Sequence, residues 1–129
     1  MSLVEKAVGA VVLACLAMVM LRSPGPPVDD DWFQSVVVEE SRPVLVKFGA
    51  EWCGPCRDME RVLDQVAPSV SGDVKIVRVN IDEMPQLANH YGVHSIPRIF
   101  LFKQGRVVAS HGGFPDAKSV KTWLDRKIK

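Results

Sequence analysis

A chain of 129 residues with 47% apolar and 24% charged side chains has material for one ordinary domain and an appendage, without repeats or low-complexity tracts. Its formal net charge is +1, and beyond Glu5 and Lys6 the remaining 15 basic and 14 acidic residues are interspersed, with no basic cluster interleaved with aromatics. That balance excludes nucleic acid as an expected partner.

The appendage is amino-terminal. From Ala7 to Leu21 fifteen residues carry no charge between Lys6 and Arg22, and with Leu3 and Val4 the apolar span approaches nineteen. Nineteen helical residues rise about 28 Å, against a hydrocarbon core of about 30 Å, if the flanking cations snorkel. Residues 1–22 are therefore expected to form a transmembrane anchor or signal-anchor, with residues 3–21 in lipid. Cleavage as a signal peptide is one alternative, although Cys15-Leu16-Ala17 and Ser23-Pro24-Gly25 make poor cleavage sites. Lipidation at Cys15 is another. Lys6 favours an amino terminus kept inside and a domain facing the periplasm or another extracytoplasmic compartment, with Arg22 opposing. A domain secreted after cleavage is the corresponding alternative. Residues 23–29, with Pro24, Pro26 and Pro27, read as a semi-rigid linker.

Residues 30–129 read as the folded domain. Asp29, Asp30 and Asp31 offer cap acceptors for a helix through Trp32, Phe33, Val36 and Val37, with Trp32 and Trp123 expected in the core. Pro43 to Phe48 reads as a buried strand. Met59, Val62, Leu63, Val66, Ala67 and Val70 then mark one face of an amphipathic helix. Val74 to Val79 reads as a second strand. Asp82 is expected to cap a short helix with Pro85 in its first turn, Leu87, Ala88 and Tyr91 inward and Gly92 as terminator. Arg98–Phe102 and Arg106–Ser110, joined across Lys103-Gln104-Gly105, read as a hairpin, and Asp116 opens a last helix that buries Val120, Trp123, Leu124 and Ile128. The order predicts an α/β domain with a mixed sheet of about four strands flanked by helices.

Trp52-Cys53-Gly54-Pro55-Cys56 falls at the first strand-to-helix junction. Pro55 suits a first helical turn, where its missing N–H costs nothing. Cys53 then sits at or beside the N-cap, where free backbone N–H groups and the helix dipole favour thiolate. Cys56 lies one turn behind, placed to resolve a mixed disulfide. Trp52, abutting the nucleophile, is expected at the surface. A structural disulfide is the plainer reading, but so short a loop stabilises little. A Cys2His2 metal site with His90 and His94 would need 33 residues between Cys56 and His90, far beyond finger spacing, and no metal is expected.

These stretches resemble the thioredoxin family: Val44 to Cys56, then Val79-Asn80-Ile81-Asp82, Tyr91-Gly92-Val93, Ile96-Pro97 and Phe102-Lys103-Gln104-Gly105, in that order. The resemblance covers roughly residues 30 to 129. It implies a thioredoxin-like fold in which Cys53 attacks a substrate disulfide and Cys56 resolves it, Gly54 and Pro55 tune the couple, and Ile96–Pro97 is a cis peptide facing the thiols. Trp52 and Gly113 share the substrate rim with that loop. It further implies a monomer reducing protein disulfides, with no cofactor beyond the Cys53–Cys56 disulfide and with a thiol electron donor, a transmembrane one if the domain faces outward. The family's first strand would fall in the linker, so that strand is expected to be missing or vestigial. Lys47 stands where the family usually carries a buried Asp. It acts either as a cation favouring thiolate or as a neutral base. Gly49 replaces a frequent Trp, Arg61 a helix-kinking Pro, and Arg98 a small residue beside the docking groove. A non-catalytic binding module, and an oxidase or isomerase donating disulfides, are the rival functions.

Overall fold

The computed structural model describes residues 3–20 and 30–129. Helix α1 (Leu3–Met20) is exposed at every residue from Leu3 to Leu16. Among the described residues no helix is long and apolar enough to cross a membrane, so the expected transmembrane helix is not found. Glu5 and Lys6 interrupt α1 in its first turns, and the charge-free part from Ala7 to Met20 rises only about 21 Å. Leu21, Arg22 and the linker at 23–29 lie outside the described residues.

Asp30 caps α2 (Asp31–Phe33), its Oδ1 accepting from the Phe33 N–H at 2.8 Å, and the chain continues into a π-helical turn, Gln34–Val38. Phe33 and Val37 project four residues apart into the core. Trp32 lies off that face and is 41% exposed, so the expectation of a core position is corrected.

The sheet contains β1 (Val44–Gly49), β2 (Lys75–Asn80), β3 (Arg98–Lys103) and β4 (Arg106–His111) in the order β2-β1-β3-β4. β1 pairs parallel with β2 and antiparallel with β3, which pairs antiparallel with β4. Among the described residues no strand precedes β1. All six β1 residues are buried, because both faces are covered. Alternation sends Val44, Val46 and Phe48 into a cluster with Phe33, Leu87 and Phe102, and Leu45 to the opposite face beneath α3 (Gly54–Val70) and α5 (Ala117–Ile128). Lys47 shares the parity of Leu45 and so points under α3.

Met59, Val62, Leu63, Val66 and Val70 form the buried face of α3, with Ala67 half-buried. α4 (Pro85–His90) starts after Met84 without a side-chain cap, correcting the assignment of Asp82. Gly92 ends it at φ +65°, the left-handed conformation a helix terminator needs. The hairpin turn is Gln104-Gly105, both at positive φ, as a two-residue connection between twisted strands demands. Asp116 caps α5 by accepting from the Ser119 N–H at 2.7 Å.

Candidate active site

β1 ends at Gly49, and the chain turns through Trp52 into α3, whose N-cap is Cys53. Its Sγ accepts from the Cys56 N–H at 3.2 Å, and Pro55 occupies the first turn. Cys53 and Cys56 form a disulfide with their Cα atoms 5.2 Å apart. Cys56 is 1% exposed and Cys53 6%, both packed with Ala50, Ile81 and Ile96. A backbone donor aimed at Cys53 Sγ, at the positive end of a 17-residue helix, favours a sulfur anion there once the bond is reduced.

Ile96–Pro97 is a cis peptide, and the Ile96 carbonyl oxygen lies 4.0 Å from Cys53 Sγ. Beside it a groove of about 740 Å³ brings Pro55, Pro97 and Gly113 together with Phe114, Met59 and Arg61. Gly113 is at φ +143°, and a Cβ there would meet Pro97 Cγ at 3.4 Å, so any side chain would narrow the groove at that contact. Trp52 is 68% exposed, with Nε1 donating to Asp82 Oδ2 at 2.8 Å. That bond is what Asp82 does instead of capping α4. Arg98 does not line the groove: its guanidinium donates to Ser110 Oγ at 3.0 Å and lies 6.0 Å from the Phe100 ring centre. The groove's cation is Arg61, paired with Asp58.

Behind the disulfide, Lys47 is 6% exposed and its Nζ donates to Glu60 Oε1. Arg78 donates from Nε to Glu60 Oε2 at 2.6 Å and from Nη2 to Asp64 Oδ1 at 3.1 Å. Lys47 and Arg78 are register partners on adjacent parallel strands. Two cations so placed repel unless an anion bridges them, and α3 supplies that anion. Lys47 Nζ is thus held in an ion pair beneath α3.

The thioredoxin family model matches residues 26–126. The chain belongs to the thioredoxin family. It is similar to a thioredoxin of Rickettsia felis, 40% identical over 101 residues that cover 78% of this chain and 96% of that protein. The chloroplastic M-type thioredoxin of Chlamydomonas reinhardtii is 44% identical over 105 residues, 81% of this chain and 75% of that one. A thioredoxin of Haemophilus influenzae is 45% identical over 101 residues, 78% and 94% of the two chains. With the Cys53–Cys56 pair in place, this thioredoxin is a protein-disulfide oxidoreductase.

Glu60, Arg78 and Asp82 are charged residues of the site that sequence reasoning missed. The signal for Glu60 was its position four residues after Cys56, on the same face of α3. Burial alone would raise the Glu60 carboxyl, but the hydrogen bonds from Lys47 and Arg78 outweigh it and hold the group below its ordinary value of 4.5. A carboxylate lowered on folding stabilises the native state fully above its unfolded value and loses that contribution as pH falls through the folded one. Wild type is therefore expected to be more stable than Glu60→Gln at pH 7, and their thermal unfolding midpoints to converge as pH falls from about 5 toward 3. A gap that persists unchanged at pH 3 would show that the ion pairs are not its source.

Proposed function

We propose that this thioredoxin reduces protein disulfides, with Cys53 as the attacking and Cys56 as the resolving sulfur. The observation that carries the reading is the Cys56 N–H on Cys53 Sγ, beside the Ile96 carbonyl oxygen at the groove. An extended substrate strand laid against the Ile96–Pro97 loop would bring its disulfide to Cys53, with Trp52, held by Asp82, and Gly113 bounding the approach. Cys53 thiolate attacks, one substrate sulfur leaves, and Cys56 then displaces the other. Gly54 and Pro55 support the reducing direction, since this dipeptide belongs with couples near about −270 mV rather than oxidants near about −120 mV. Lys47 tunes the couple as a cation beside Cys56.

The domain acts as a monomer held at a membrane by residues 3–21, facing an extracytoplasmic compartment. Support comes from the exposure of Leu3, Val4, Val8, Val11, Leu13 and Leu16 on α1, an apolar surface that water solvates poorly. Its reducing electrons then come from a thiol donor that crosses the membrane.

Equilibrating the protein against a series of reduced and oxidised glutathione tests the direction. A couple near about −270 mV is expected, and one near about −120 mV would make the protein a disulfide donor.

A further inference from the structure

A cavity of about 310 Å³ borders Cys56 and shares no lining residue with the groove, and disulfide exchange with substrate does not itself require it. Charged groups reach it from each packed element: Lys47 from β1, Glu51 from the following turn, Arg57 and Glu60 from α3, and Arg78 from β2. Glu51 and Arg57 offset one another in sign. Lys47, Glu60 and Arg78 form one bridged trio with a net positive charge, and Asp64 meets Arg78 only on its outer, exposed side. A Cβ built on Gly49 would lie 3.2 Å from Lys47 Cε and 3.3 Å from Cys56 Sγ, which bounds the separation of those two atoms at about 6.5 Å. The missing side chain thus leaves the end of the buried Lys47 chain within about 6.5 Å of a buried sulfur, with Glu60 as the counter-ion of its ammonium group.

We propose that Glu60 is a positioning residue for the resolving step: by pairing with Lys47 it keeps a protonated ammonium behind Cys56, where the cation stabilises the thiolate as it forms. The proposal rests on the reading of Cys56 as the resolving thiol. In that step Cys56 Sγ–H gives its proton to water admitted by the cavity. Its sulfur bonds to Cys53 Sγ, the bond from Cys53 to substrate sulfur breaks with the electron pair on the substrate, and the departing thiolate takes a proton from solvent. One disulfide forms as another breaks, so no further oxidant or reductant enters. Without Glu60 the Lys47 chain loses the buried partner that holds it in place, and Cys56 loses the charge behind it.

The test uses the full chain carrying Cys15→Ser and Cys53→Ser, so that Cys56 is the one remaining thiol, with its titration read from the pH dependence of iodoacetamide alkylation. Glu60→Gln is expected to move the midpoint upward by about one unit or more. Lys47→Met is expected to do the same, and Glu60→Gln added to Lys47→Met to do nothing further, because the carboxylate acts through the amine. An unchanged midpoint, a downward shift in Glu60→Gln, or additive shifts in the double variant would each overturn the proposal. Should Glu60→Gln fail to fold, Lys47→Met decides alone, since it exchanges a buried cation for an apolar chain of similar length, and an unmoved midpoint there overturns the proposal equally. Failure of the underlying reading is separately visible: the Cys56→Ser chain would trap no mixed disulfides with substrates, whatever Cys56 titrates like.

Discussion

The Cys56→Ser protein is expected to accumulate covalent adducts with its substrates, while Cys53→Ser captures nothing and reduces insulin no faster than the free donor thiol. The asymmetry follows from position. Cys53 is the N-cap of α3 with a backbone N–H on its sulfur, borders the Ile96 carbonyl oxygen and has the groove at its side. Cys56 is enclosed, one turn deeper, and reaches only what Cys53 has already bound. Removing the inner sulfur leaves the first exchange intact and blocks the second, so the intermediate persists until an outside thiol releases it. Non-reducing electrophoresis of membranes from cells expressing the Cys56→Ser chain reads the adducts directly, and mass spectrometry of the captured proteins names substrates and compartment together. Adducts in Cys53→Ser instead would reverse the two roles. Adducts in neither variant would leave a thioredoxin that grips partners without exchanging disulfides.

What the sequence made legible was local. The N-cap aspartates at 30 and 116, the terminator Gly92, the hairpin across Lys103-Gln104-Gly105, tighter by one residue in the structure, and the apolar face of α3 are each set by residues within about one turn of each other, so spacing alone finds them. The misreadings share the opposite property. Asp82 looked like a cap because an acid preceded a helix, yet its carboxylate answers to Trp52, 30 residues away. Trp32 looked like core because it is large and apolar, yet a neighbour on the same turn, Phe33, takes the buried position. Glu60 sits at the border of the apolar stripe, and its spacing alone marks it for no role. Its meaning depends on Lys47 pointing under α3 rather than away, and in a strand whose other residues are apolar on both buried faces no periodicity reveals which face Lys47 takes. The site's electrostatics were therefore hidden in a choice of sheet face that only the assembled layers make.

Trp123→Ala is expected to cost the domain about 3–5 kcal/mol, the range for truncating a large buried aromatic, and Trp32→Ala about 1 kcal/mol or less. Trp123 is 7% exposed and belongs to the cluster that joins α5 to α3, the helix presenting both cysteines. Removing it opens a cavity between two helices that cannot collapse freely, because Leu63 and Val66 hold α3 in one cluster with Leu45, Ile99 and Leu101 of the sheet beneath. Against a total stability of about 5–15 kcal/mol that is a large fraction, equivalent to a fall of about 15–25 °C in Tm for a domain of this size. Urea unfolding followed by circular dichroism, with the disulfide kept intact, measures both variants. The loss also reaches the groove. The Trp123 ring lies 5.3 Å from that of Phe114, which stacks on His111 at 4.1 Å and whose N–H donates to Met59 Sδ at 3.4 Å. That contact holds the loop running through Gly113 against α3, so below its melting range Trp123→Ala is expected to raise KM for protein substrates more than it lowers kcat. An unchanged KM in a destabilised variant would confine Trp123 to the core and leave the loop to be held by Met59 and His111 alone.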